Sequence, residues 1–227
     1  MERKNASFEF FNDYSETVES LQPEFYAEMS KIIDNYGNSD SSVLDIGGAG
    51  HFPYSVEKFR SVSVLDLFEK PKNQQLPSNT QWEKGDILDH STLPKKQFDL
   101  VICGSLLHHL CGPKNGAQEN IQNCFKNIRR VLAPEGKLLI FESTCHPFLA
   151  KLQDLLYPIT SRFLIAIGFT YVRMFSKNEI LRAAQQSEID LHEIAFQQPK
   201  FIAQWKFRVP LKLYPLRISS FEGRQPN

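Results

Sequence analysis

Apolar residues recur at three- and four-residue steps at Leu21, Phe25, Met29, Ile32 and Tyr36, which predicts one helix whose stripe packs on a main domain. Pro23 suits its first turn and Gly37 its stop. From Ser42 the pattern changes to short apolar runs alternating with helical stretches, the signature of parallel strands joined by crossovers. Strands are expected at residues 42–46, 61–67, 80–84, 98–103 and 137–142. Between the last two, Ile121, Cys124, Phe125, Ile128 and Val131 share a helix face, and residues 133–136 turn the chain into the strand. Beyond Cys145 the alternation stops. Residues 146–176 read as a helical insert rich in leucine and aromatic residues, and Ser176 with Glu179 forms a capping-box pattern that opens another helix. Two late β-rich segments, 189–196 and 201–210, are spaced like a hairpin.

A chain of 227 residues, 41% hydrophobic and 23% charged, has room for one domain with additions. The division expected is an N-terminal helical lid segment, 1–41, and a main domain, 42–227. Its 26 basic and 26 acidic residues cancel, so no whole-chain field is available to hold a phosphate backbone, and nucleic acid is not expected as a partner. The four cysteines form no C-x-x-C pair, which favours free thiols in a reducing, cytoplasmic setting. The start of the chain lacks a signal-peptide core, and the apolar run at 163–167 is too short to span a bilayer, so no membrane insertion is expected.

The strongest chemical signal is Val43-Leu44-Asp45-Ile46-Gly47-Gly48-Ala49-Gly50, an apolar strand running into a glycine-rich turn. Backbone N–H groups stripped of side chains can meet an anionic ligand, as can the N-terminus of a following helix. A dinucleotide fingerprint starting at Gly48 needs a small residue at position 53, where Pro53 stands, so a nicotinamide cofactor is disfavoured. Asp66 closes the next apolar strand, where a carboxylate can accept ribose hydroxyls. Gly85-Asp86-Ile87-Leu88 follows the third strand, and Phe98-Asp99-Leu100-Val101-Ile102-Cys103-Gly104 forms the fourth, with His108 and His109 just beyond.

In this order and spacing, the motifs from Val43 to Glu142 resemble those of the class I S-adenosylmethionine-dependent methyltransferases of small-molecule type. The resemblance implies an α/β fold, a Rossmann-like, seven-stranded, mostly parallel sheet with a late antiparallel hairpin, plus the N-terminal helix and the helical insert as a lid. It implies S-adenosyl-L-methionine as cofactor, held by Asp45, Gly47, Gly48, Ala49, Asp66, Leu67, Asp86, Ile87, Cys103 and Gly104, with Tyr14 closing over the sulfonium end. The glycine turn admits two registers, with Gly47, Ala49 and His51 at the family's three glycines, or with Gly48-Ala49-Gly50 as its later G-x-G. His109 is the first candidate for a general base and His108 the second, because imidazole titrates nearest neutrality. Cys145-His146 offers a further histidine, and Glu142 lies nearer the cofactor or caps a helix. The insert has three uses open to it: cover for an apolar small-molecule acceptor, packing on the sheet, or a homodimer interface. RNA or protein as acceptor, or a binding domain without catalysis, are the alternatives.

Overall fold

The computed structural model describes residues 22–72, 74–111, 116–166, 172–204, 207–211 and 215–226. Helix α1, Pro23–Asp34, starts on its proline and buries Phe25, Met29, Ile32 and Ile33, the stripe expected from its spacing. Five parallel strands follow, four at or near their expected limits, β1 Ser42–Ile46, β2 Ser61–Asp66, β3 Thr80–Lys84 and β4 Phe98–Gly104, and a fifth, β5 Leu132–Cys145, that extends beyond the expected 137–142 at both ends. The expected turn at 133–136 falls inside the irregular start of β5, where its register against β4 shifts between Phe98 and Leu100. Helix α2, Gly116–Val131, crosses from β4 to β5; helix α3, Pro147–Ala166, leads to β6, Phe175–Ser176; and α4, Lys177–Gln186, leads to β7, Asp190–Ile194.

Among the described residues the sheet has eight strands, one more than expected: with β10 spanning Leu216–Arg224, the order is β3-β2-β1-β4-β5-β10-β7, and the short β6 pairs the end of β5. The antiparallel end is not built as expected. Segment 201–210 folds on itself as β8, Phe201–Gln204, against β9, Phe207–Pro210, while β7 pairs with β10, Leu216–Arg224. β10 in turn runs antiparallel to β5 over nine residue pairs from Leu216 with Cys145 to Arg224 with Lys137. The β1–β2 crossover also departs from expectation: it holds only a 3-10 turn, Val56–Lys58, not an α-helix. Pro53 disfavours helical geometry at Phe52 before it, and Tyr54, Val56 and Phe59 are instead buried against the sheet.

Two apolar layers result. One, on the α2 and α4 side, joins Leu44, Val101, Phe125, Leu138, Ile140 and Ile180; the other joins α1 to Val43, Val62, Leu100, Ile102 and Phe141. Alternation along buried strands sends successive side chains to opposite layers. Asp99 ties the start of β4 to that of β1 by accepting from the Ser42 N–H and hydroxyl, both at 2.8 Å. The carboxyl ends of the parallel strands lie at the opposite edge, where open α/β sheets bind their ligands.

Candidate active site

At that end the turn after β1 is held by the Gly47 N–H on the Leu65 carbonyl at 2.9 Å and the His51 N–H on the Gly48 carbonyl at 2.8 Å. Gly47 and Gly50 both have φ +73°, and Ala49 sits at +48°. Left-handed backbone explains glycine at two of these positions. Gly48 is required for space instead: a Cβ there would stand 2.5 Å from Asp45 Oδ1.

Asp45 is buried beneath this turn, and Tyr54 donates its hydroxyl to Oδ2 at 2.8 Å. Burial pushes its pKa up to about 7, the Tyr54 hydrogen bond opposes this, and the charge of Asp66 adds to it. Asp66, at the end of β2, accepts from the Phe68 N–H at 3.0 Å. Its pKa is raised by burial against the opposing amides of Phe68, Ala49 and Leu67. The Ala49 amide therefore brings the glycine turn and the second strand's acid into one locus. Gln74 closes over the turn, donating to the Ala49 carbonyl at 3.0 Å, while its buried Oε1 has no partner among the described residues. Leu67 is exposed beside Asp66.

Asp86 folds its Oδ1 back onto the Leu88 N–H at 2.9 Å, and Ile87 is buried with its carbonyl held by Asn127 at 2.7 Å. Cys103 is fully buried and its thiol is pushed well up by burial, so only its backbone can meet a ligand. Gly104 faces α1: a Cβ would stand 2.9 Å from Met29 Cε. Leu106 likewise packs on Gly47, at 2.9 Å from the position of a Cβ there. Tyr14 lies outside the described residues.

His108 and His109 belong to the 3-10 turn Leu107–His109, entered through Ser105 at φ +52°. Their rings lie 4.0 Å apart between centroids. Burial, with His108 beside it, holds His109 well below the usual imidazole range. His108 Nδ1 meets Glu142 Oε1 at 2.7 Å, and the fully buried Glu142 side chain also accepts from the N–H groups of Leu107 at 2.7 Å and Ser143 at 2.8 Å. The His108 carbonyl accepts from the Arg173 N–H at 3.1 Å; the Arg173 guanidinium clasps Asp154 through two hydrogen bonds and Glu179 through one. Tyr54, Gln74 and Arg173 were not singled out by sequence. An aromatic hydroxyl nine residues after Asp45 was the only available signal for Tyr54.

Among the described residues, no cluster of three or more His, Cys, Asp or Glu side chains is placed to hold a metal ion. Residues 44–140 match the family described as a methyltransferase domain. A SAM-dependent methyltransferase from Methanosarcina mazei is similar at TM-score 0.58 and 17% identity, over 86% of this chain and 98% of its own. A chain in the complex of the Haloferax volcanii Trm112 methyltransferase activator with a putative methyltransferase gives 0.62 at 13% identity, over 100% of both. CalO1, a methyltransferase in calicheamicin biosynthesis, in its SAH-bound form, gives 0.56 at 14% identity, over 96% of this chain and 56% of its own. No curated protein matches the sequence. Identities this low show the fold, that of the class I S-adenosylmethionine-dependent methyltransferases, and residues 44–140 carry the match to a methyltransferase domain; S-adenosylmethionine is the cofactor that these comparisons indicate.

Proposed function

We propose that the chain moves a methyl group to an oxygen, nitrogen or carbon nucleophile of an apolar or aromatic small molecule. The observation that carries this is α3. It leaves the sheet at the carboxyl end of β5 and turns Phe148, Leu155 and Ile159 outward at 66%, 70% and 72% exposure. Apolar side chains presented together at a site's rim mark a surface that takes an apolar partner. In this reading residues 146–176 cover the acceptor and 1–41 form the lid segment.

S-adenosylmethionine supplies an electrophilic methyl group on a sulfonium. The crevice fits it: the glycine turn at 47–50, Asp66 half-buried beside the Ala49 amide, and a Gln74 Oε1 over that turn with no partner among the described residues. Asp66 would accept the ribose hydroxyls, Asp86 the adenine amino group with Ile87 and Leu67 against the base, and Gly104 the methionine end. None of the four cysteines is in a disulfide, in keeping with a cytoplasmic setting. No helix of the described residues is long and apolar enough to cross a membrane.

The Haloferax neighbour, found in complex with an activator, keeps an RNA or protein acceptor as the second reading. Incubating cell extract with the protein and methyl-labelled S-adenosylmethionine, followed by mass spectrometry, decides between them. Label in a small apolar product is the expected result; label confined to RNA or protein overturns the small-molecule reading.

A further inference from the structure

We infer that His108 and Glu142 form a proton-accepting dyad, His108 as the base and Glu142 as its positioning residue, and that the acceptor atom is therefore a hydroxyl or amine that must lose a proton. This rests on the reading of the chain as a small-molecule methyltransferase and narrows its acceptor.

The argument begins with Glu142. Its side chain has no exposure, and a carboxylate in such a place is costly unless donors surround it. Three backbone N–H groups point at it, Leu107 and Ser143 closely and His108 at 3.4 Å, and the fourth donor is the His108 ring. The amides already shape the turn after β4; the ring contact does something more. A carboxylate only accepts, so Nδ1 of neutral His108 carries the hydrogen and Nε2 keeps the lone pair. The ring is fixed in one tautomer with its basic nitrogen directed away from Glu142. His108 keeps 14% of its side chain exposed, at the carboxyl end of the two central strands where ligands of open α/β sheets bind.

His109 is the weaker base of the two, since burial and the neighbouring ring disfavour its charged form. Among the described residues, the ionisable groups placed against His108 are Glu142 from β5 and His109 from its own turn. Arg173 reaches it only through the backbone, its guanidinium being held by Asp154 and Glu179.

The step balances. As the acceptor oxygen or nitrogen forms its bond to the methyl carbon, the carbon–sulfur bond breaks and its electron pair returns to sulfur, which becomes a neutral thioether. The acceptor's proton passes to His108 Nε2, and the resulting imidazolium is stabilised through Nδ1–H by Glu142 before releasing the proton to water.

Two readouts test this. The first needs no acceptor: side-chain ¹⁵N spectra of the full-length protein should show neutral His108 as the Nδ1–H tautomer, and Glu142→Leu, which removes the acceptor, should lose that preference. An Nε2–H tautomer in the wild type, or an unchanged tautomer ratio in a folded Glu142→Leu, overturns the dyad. The second uses the product that labelled extract reveals. His108→Asn keeps a donor for Glu142 but has no base, and should lower kcat roughly 10²–10⁴-fold with cofactor affinity within about twofold. Glu142→Gln should lower kcat less and move the ascending limb of the pH profile downward. A methyl group found on carbon, turnover of His108→Asn within twofold of wild type, or a steeper loss in His109→Asn overturns the proposal. If extract yields no methylated small molecule, the functional reading falls, and the ¹⁵N spectra alone decide the dyad.

Discussion

At the residue scale, Asp45 keeps its proton up to about pH 7, whereas an ordinary aspartate loses it near 3.8. Between those values the folded chain binds a proton that the unfolded chain has released. The contribution of Asp45 is therefore complete below about pH 4 and is lost as pH rises through 7, with a ceiling of roughly 4 kcal/mol. Urea unfolding of wild type and Asp45→Asn should show wild type losing stability relative to the variant between pH 5 and 8. Gly48→Ala drives a methyl group into the same carboxylate and should cost about 1–3 kcal/mol by the same measurement. Asp66→Ala should leave stability nearly intact but weaken S-adenosylmethionine by about 1.5–3 kcal/mol in calorimetry, if the carboxylate accepts charge-assisted hydrogen bonds. The strand-end acids were legible because an acid closing an apolar run is conspicuous in one dimension. The partners that set their chemistry were not: Glu142 meets His108 across 34 positions, and Gln74 meets Ala49 across 25. Such contacts depend on how strands are ordered, which periodicity does not encode.

At the scale of elements, α3 combines an outward apolar row with a proline, Pro158, that has no N–H to give to the Asp154 carbonyl one turn back. The hydroxyls of Thr160 and Ser161 bond back to the carbonyls of Leu156 and Tyr157, at 3.1 and 2.6 Å. Exposed positions contribute little to folding, so Leu155→Ser and Ile159→Ser should change stability by less than about 0.5 kcal/mol. If this face covers the acceptor, both should raise its KM, and hydrogen exchange in α3 should slow when cofactor and acceptor bind. Helix α1 could be read closely because its stripe repeats cleanly, and β1, β2 and β4 because they are short apolar runs bounded by turn residues. β10 could not: Ser219 and Ser220 occupy interior positions, bonded to Thr144 at 2.8 Å and to the Ile194 carbonyl at 3.0 Å. Polar residues that find partners inside a sheet disguise a buried strand as a loop. The crossover between β1 and β2, expected to be helical, departs for the opposite reason: its apolar run at 52–59 packs on the sheet with only a 3-10 turn.

At the scale of the molecule, a polar junction ties the end of α1 to the sheet: Glu222 on β10 accepts from Tyr36 after α1 at 2.7 Å and from Lys137 on β5 at 2.6 Å. Tyr36→Phe should cost about 1 kcal/mol in thermal or urea unfolding, because Lys137 still satisfies the carboxylate. β10 itself lies between β5 and β7, although it follows both in the chain. A protein made from its N-terminus thus completes its cofactor-facing strands β1 to β4 well before the strand that bears Glu142 gains its second long neighbour. A chain cut before Leu216 would hold every glycine and acid of the cofactor crevice and still leave β5 open along nine residue pairs. Circular dichroism and calorimetry on that fragment should find partial structure and no S-adenosylmethionine binding. The order of synthesis would then act as a safeguard: a copy halted before β10 cannot sequester the cell's methyl donor, because β10, made after every glycine and acid of the crevice, is the strand that locks β5 into the interior of the sheet.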